Sequence, residues 1–204
     1  MNHEECFCHF YLHCTFFVAC SNRERQFTQE IKVLQSKAIQ LPSKGLFMRQ
    51  GIEVQKIDVN KEVLKLVVYA DSIGCTACAI NHIDSWGHFI DYAEQFNNQL
   101  RFYFIFSPMK KEVRGTELMI ANTMFDYPIL LDTLGEFEKL NPHLPKNRAL
   151  HTFLLDENNN VILVGNPSQN RKIKEMFYKT VEEKLGKPQQ SSTKENDLAD
   201  ETTN

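Results

Sequence analysis

The sequence lacks the features that mark several classes of protein. No apolar stretch reaches the ~20 residues that a membrane-spanning helix needs. The formal net charge is only −3, with acidic and basic residues interleaved, so the charge indicates no nucleic-acid partner. No segment repeats. By contrast, 42% of the residues are hydrophobic and 15 are phenylalanine, so a chain of 204 residues can build one domain with a full core.

Two of the six cysteines lie in the most informative stretch of the chain. The apolar run Leu66–Tyr69 is typical of a buried strand, and Asp71–Gly74 then breaks it. Cys75-Thr76-Ala77-Cys78 follows this break. Beyond it, apolar residues recur at the spacing of one helix face: Ile80, Ile83, Trp86, Ile90, Ala93 and Phe96. The pattern predicts that a buried strand delivers a C-x-x-C to the first turn of an amphipathic helix.

This placement favours redox chemistry, because the first turn of a helix stabilises a thiolate. The pKa of a free thiol, about 8.5, can fall to roughly 3.5–7.5 in such a setting. We predict that Cys75 is the exposed nucleophile and that Cys78 faces inward and resolves the mixed disulfide. Two sulfurs at this spacing can close a small ring, so the pair can cycle between dithiol and disulfide. The alternatives are two small buried hydrophobes or half of a zinc site.

The first twenty residues have the length and polarity of a signal peptide. Residues 7–19 are apolar, and the segment ends in Phe17-Val18-Ala19-Cys20, which resembles a bacterial lipobox with Cys20 as the lipidated residue. Acidic Glu4 and Glu5 stand where signal peptides usually carry basic residues, so the alternative that this segment is not a signal peptide stays open. Another alternative is metal capture by a cluster of soft ligands: Cys6, Cys8, His9, His13 and Cys14. Under the lipobox interpretation only Cys75 and Cys78 remain as thiols, which suits an oxidising compartment.

The rest of the chain predicts alternating strands and helices. We divide it into a signal (1–20), a linker with a short helix (21–45), one domain (46–186) and a disordered tail (187–204). The predicted elements are a helix over 24–40, extended segments over 46–58, strands over 101–106 and 127–132, helices over 110–125 and 136–140, a hairpin of 152–155 with 161–164, and a helix over 172–185. The inward faces of the three longer helices are expected at Phe27, Ile31, Leu34 and Ala38; at Val113, Leu118, Ile120, Ala121 and Met124; and at Ile173, Met176, Phe177, Val181 and Leu185. This order predicts an α/β domain with a mixed central sheet flanked by helices on both faces.

Residues 46–186 resemble a thioredoxin-like fold, and in particular the membrane-tethered thiol-disulfide oxidoreductases of the bacterial envelope related to TlpA and ResA. The most specific pieces are residues 67–78, 127–135 and 152–165. The resemblance implies disulfide exchange with protein or small-thiol substrates, with Cys75 attacking and Cys78 resolving. It implies an electron donor of unknown identity, no cofactor beyond the Cys75–Cys78 disulfide, and a lipid anchor that holds the protein to a membrane, facing the periplasm or on the outer membrane.

Three positions depart from the family pattern. Gly74 replaces the tryptophan before the first cysteine, and Tyr69 replaces the buried acid, so Asp71 is a possible substitute for proton transfer. His151 occupies the place of the cis-proline that faces the sulfurs. There it can lower the pKa of a thiolate, shuttle a proton or join Cys75 and Cys78 as a metal ligand; the alternative is a partly exposed loop histidine.

Two rival functions follow from these departures. One is a metallochaperone that uses Cys75, Cys78 and His151, and the other is a binding module that keeps the fold without the activity. His82 and His88 are expected to be solvated helix residues.

Overall fold

The computed structural model describes residues 23–43, 45–54, 64–74 and 76–188. The predicted signal with Cys20 and its alternative metal ligands, Cys75, and most of the predicted disordered tail lie outside the described residues. Within those residues, no helix has the length and apolar character needed to cross a membrane.

The centre of the fold is a seven-stranded mixed sheet with the order β2-β1-β5-β4-β3-β6-β7. β3 lies inside this sheet, where it pairs in parallel with β4 and antiparallel with β6. The strands are β1 (Leu46–Arg49), β2 (Ile52–Glu53), β3 (Leu64–Ala70), β4 (Leu100–Phe106), β5 (Ile129–Leu131), β6 (Thr152–Leu155) and β7 (Val161–Val164). β6 and β7 form the predicted hairpin.

Helices connect the strands. They are α1 (residues 23–34), α2 (Thr76–Asn81), a 3₁₀ turn (Ile83–Trp86), α3 (Gly87–Glu94), α4 (Val113–Ala121), α5 (Glu136–Leu140) and α6 (Arg171–Leu185). Shorter 3₁₀ turns precede α4 and β6.

Side chains that alternate along β3 divide the core into two clusters, one on each face of the sheet. Leu66 joins a cluster rich in aromatic residues, with Trp86 and Phe89 from the α2–α3 region and Phe177 from α6. Val67 and Tyr69 join the other cluster; its helical and N-terminal members are Leu34, Ile39 and Phe137. Apolar surface is therefore buried on both faces, and the predicted α/β class with a covered mixed sheet is confirmed.

The helix predicted from Ile80 onward is wrong in its continuity but right in its inward face. α2 begins earlier, at Thr76, and a 3₁₀ turn over Ile83–Trp86 separates it from α3. All six apolar residues of the predicted face are buried. A spacing of three residues also keeps side chains on one face of a 3₁₀ turn, so the apolar period cannot distinguish the two geometries.

Two predicted helix faces need correction. In α4 the buried positions are Thr116 and Ile120, whereas Leu118 is 49% exposed. Met124 lies beyond the end of α4 and is 87% exposed. In α6, Phe177 and Val181 are buried as predicted. The remaining errors are Ala121, which is exposed, and Met176, which is 50% exposed.

The segment predicted as a linker belongs partly to the domain. α1 ends at residue 34, short of the predicted 40, and two residues of its predicted inward face, Phe27 and Ala38, are exposed. Leu34 and Ile39 are nevertheless fully buried in the second cluster. The Asn141 side chain accepts a hydrogen bond from the backbone of Gln40 and donates one back, both at 2.8 Å. The segment between α1 and β1 therefore packs against the domain.

Candidate functional site

In the sequence, the C-x-x-C motif follows β3 and a short turn. β3 ends at Ala70, a turn over residues 71–74 follows, and α2 begins at Thr76. Cys75, which is outside the described residues, directly precedes α2 in sequence, and Cys78 lies in its first turn. The predicted order of strand, break and helix is thus observed, with Cys78 in the first turn of the helix.

Cys78 is disulfide-bonded and exposed. The prediction that it faces inward is wrong. The inward positions of α2 are Thr76 and Ile80. Cys78 is two residues from each, which turns it toward the other side of the helix. Its sulfur is consequently accessible from solvent.

A cleft of about 690 Å³ opens beside Cys78. One wall comes from α2 and the 3₁₀ turn after it, and the other from the segment before β6 and the loop after β7. Side chains that line it include Phe27, His82, Trp86, Leu150, Asn166 and Ile173. The cleft can hold an extended segment of a partner next to the disulfide.

Asp71 fixes the turn that leads to the cysteines. Its Oδ1 accepts a hydrogen bond from the Gly74 backbone N–H. The Arg148 Nε lies 3.0 Å from both carboxylate oxygens. A Cβ on Gly74 would lie 2.8 Å from the Asp71 Oδ1, so a side chain there would displace the carboxylate. Asp71 therefore joins the cysteine turn to the segment before β6, and its suggested role in proton transfer stays a prediction.

Tyr69 occupies the position of the family's buried acid and is 6% exposed. Its ring packs edge-on against Phe137, with 4.9 Å between centroids. Burial raises the pKa of Tyr69 to about 12, and the nearby Ser107 hydroxyl offsets only part of that shift. Within the described residues, Ser107 does not meet hydrogen-bond geometry with the Tyr69 Oη, which is buried without a partner. A phenol in this state cannot accept a proton near neutral pH, in agreement with the prediction.

His151 is buried, with 5% of its surface exposed, so the partly exposed alternative is wrong. Its Nε2 lies 2.8 Å from the Pro145 carbonyl oxygen, and since a carbonyl only accepts, Nε2 is the protonated nitrogen of this contact. The ring packs on Tyr69 with 5.1 Å between centroids. Tyr69 belongs to the second core cluster, on the face of the sheet opposite α2 and α3. The His151 side chain is not among the described residues that line the Cys78 cleft.

The other histidines of this region are exposed, as expected. His82 lies at the lip of the cleft, and His88 lies on α3. Partial burial lowers the pKa of His88, and the nearby Lys174 charge lowers it further. In the part of the chain that the structure describes, no three His, Cys, Asp or Glu side chains are grouped to hold a metal ion.

Sequence reasoning missed Arg148. Its side chain is 48% exposed, lines the cleft and pairs with Asp71, which lies 77 positions earlier in the chain. No local pattern marks it, because its role depends on β6 lying next to β3. Only a predicted sheet order could have placed the two residues together.

No protein-family model and no curated protein matches the sequence. Solved structures do. An uncharacterized thioredoxin-like protein from Porphyromonas gingivalis is 18% identical, with a TM-score of 0.44 and 74% of this chain and 94% of that chain covered. Thioredoxin from Wuchereria bancrofti is 11% identical, with a TM-score of 0.45 and coverages of 69% and 98%.

The thioredoxin domain of a thiol-disulfide oxidoreductase from Bacteroides vulgatus is 13% identical, with a TM-score of 0.39 and coverages of 69% and 99%. These proteins are similar to the chain in fold. In the chain itself, β3, the helices after it, β4, the β6–β7 hairpin and α6 follow one another in the predicted order, and these four strands belong to one sheet. The predicted thioredoxin-like fold is confirmed, whereas the closer relation to TlpA and ResA stays a prediction.

Proposed function

We propose that the chain is a thiol-disulfide oxidoreductase whose redox pair is Cys75 and Cys78. The observation that carries the proposal is the state and place of Cys78: it is disulfide-bonded, exposed, and in the first turn of the helix that follows β3. Exposed disulfides are reduced more readily than buried structural ones. Cys75 is at the spacing that closes a small ring, and the other four cysteines all lie within the first 20 residues.

The reaction moves two electrons between sulfur atoms. The Cys75 thiolate attacks one sulfur of a substrate disulfide, the substrate S–S bond breaks, and the first substrate thiolate leaves. The Cys78 thiolate then attacks the Cys75 sulfur, which releases the second substrate thiolate and forms the Cys75–Cys78 disulfide. The protein is oxidised and the substrate reduced, and an external dithiol restores the starting state. The electrons reside on sulfur throughout, so the reaction needs no further cofactor.

Two features of the described residues support this reaction: the cleft beside Cys78 and the turn before Cys75. The cleft of about 690 Å³ offers room for a protein or small-thiol disulfide beside Cys78. The Asp71 carboxylate holds the turn before Cys75 through Gly74 and Arg148. A fixed turn holds the Cys75 thiolate in an orientation from which it can attack the substrate disulfide.

We further propose that the protein works in the bacterial envelope, tethered to a membrane through lipid on Cys20. The support is the lipobox-like end of the apolar N-terminal segment and the location of the other cysteines within it. The substrate is a protein or small-thiol disulfide, and the electron donor is a dithiol of unknown identity.

Reduction of insulin by dithiothreitol, catalysed by the purified protein, tests the activity. We expect the wild type and a Cys20→Ser control to precipitate insulin, and Cys75→Ser to be inactive. In a reaction without dithiothreitol, Cys78→Ser should accumulate a mixed disulfide through Cys75, because no second thiol resolves it. Full activity of Cys75→Ser would refute the assignment of the nucleophile.

The rival functions receive no specific support. The His151 Nε2 contacts the Pro145 carbonyl oxygen, the ring packs on Tyr69, and His151 is not among the described residues that line the Cys78 cleft. A binding module without activity would keep its biological role in the Cys75→Ser variant.

A further inference from the structure

A second cavity lies at the opposite end of β3 from Cys78. It has a volume of about 340 Å³, which is within the range of small-ligand pockets. Leu41 follows α1 and forms one wall, Phe47 of β1 and Leu130 of β5 form the floor, and the β6–β7 loop closes the other side. Most of the residues that line it are apolar or aromatic, and two polar groups of this cavity have unusual surroundings.

The first is Lys65, near the start of β3, which is only 6% exposed. Lysine is almost never buried unless its ammonium is paired. Among the described residues, its Nζ has one hydrogen-bond contact, the Asp156 carbonyl oxygen at 3.5 Å, which is the outer limit for such a bond. Glu157 also lines the cavity, but its side chain is exposed and does not pair with Lys65. The cavity therefore contains a buried cation without a described anion.

The second is Asn159 in the β6–β7 loop. Its Oδ1 is buried and has no hydrogen-bond partner among the described residues. The backbone of Asn159 is held in place by two hydrogen bonds. Its N–H donates to the Asp156 backbone carbonyl oxygen at 3.0 Å, and its own carbonyl oxygen accepts from the Ile39 N–H at 2.9 Å. An unpaired buried amide oxygen costs free energy unless a donor reaches it.

We propose that this cavity is a binding site for a small aromatic carboxylic acid that also carries a hydroxyl or amino donor. The carboxylate pairs with the Lys65 ammonium, the donor reaches the Asn159 Oδ1, and the ring lies against Phe47, Leu41 and Leu130. An anion in a site shielded from water gains more from a charged partner than it would at the surface. The site is independent of the cysteine pair.

The test is titration of the purified protein with 4-hydroxyphenylacetate, followed by calorimetry and NMR. The uncharged 4-hydroxyphenylacetamide is the matched ligand control. We expect the acid to bind and Lys65→Met to weaken its binding about tenfold or more, while the amide binds weakly to both proteins. Lys172→Met, at an exposed lysine near the start of α6, should leave the binding of the acid unchanged.

A second variant keeps the test decisive if Lys65→Met does not fold. Asn159→Asp places a carboxylate in the cavity that Lys65 also lines, so it should abolish binding of the acid by repulsion. Asp, like Asn, tolerates the left-handed backbone found here, where φ is 63°. Failure of the acid to bind at millimolar concentration, equal binding of acid and amide, or equal weakening by Lys172→Met would each overturn the proposal.

Discussion

The Asp71 carboxylate offers a sharp test of how the cysteine turn is held. Asp71→Ala removes both the acceptor of the Gly74 N–H and the partner of Arg148, whereas Asp71→Asn keeps an acceptor and removes the charge. Arg148→Met removes the ion pair from the other side. The three variants separate the two contacts.

The magnitudes follow from exposure. Arg148 is 48% exposed, so solvent screens the ion pair and we assign it about 0.5 kcal/mol. The Gly74 contact is charge-assisted, and the Asp71 side chain is only 14% exposed, so we assign that contact about 1.5–2 kcal/mol. Asp71→Ala should therefore lower the free energy of unfolding by about 2–2.5 kcal/mol. Asp71→Asn and Arg148→Met should each lower it by about 0.5–1 kcal/mol.

Urea unfolding gives these values, and stopped-flow oxidation of the reduced protein gives the kinetic effect. We expect Asp71→Ala to slow exchange at Cys75. If Asp71 takes part in proton transfer, as the sequence suggests, Asp71→Asn should also shift the pH profile of the rate, and an unchanged profile would rule out that role. Equal destabilisation by Asp71→Asn and Asp71→Ala would refute the division between the two contacts.

Two further predictions concern stability. Asn141 is fully buried, and its side chain makes hydrogen bonds to Gln40 and Phe137. Asn141→Ala should therefore lower the free energy of unfolding in urea by about 2–3 kcal/mol and expose the segment before β1 to protease. An effect no larger than that of Asn158→Ala would contradict this. Burial lowers the pKa of His143, so the unfolded chain binds its proton more readily and stability falls as the pH drops below about 6.5, until the lower pKa of the folded state is passed. The melting temperature of His143→Gln should therefore fall less than that of the wild type between pH 7.5 and pH 5. An equal fall would disprove the lowered pKa of His143.

The sequence predicted the sheet better than the helix surfaces. Strands such as β4 are continuous apolar runs because both faces are covered, and the hairpin has an Asn-rich loop between two such runs. Helix faces are harder to assign, since an isolated apolar residue is common on a protein surface. Leu118 and Met176 fit the apolar period of their helices and are exposed all the same.

The candidate site shows the same limit. The sequence places Cys78 in the first turn of a helix, but its orientation depends on which residues of α2 meet the sheet, and those are Thr76 and Ile80. The burial of His151 depends on Tyr69 and Pro145. These contacts arise from the pairing of β6 with β3, which no local pattern reports.

The most direct test of the proposed function is the redox equilibrium of Cys75 and Cys78. The purified protein is equilibrated in a series of glutathione buffers and the free thiols are alkylated. The mass of the peptide that contains both cysteines is then measured by mass spectrometry. The proposal predicts one two-electron transition between dithiol and intramolecular disulfide, at a potential between about −270 and −120 mV. A peptide that never forms the Cys75–Cys78 disulfide, or never releases it, at any glutathione ratio would contradict the proposal.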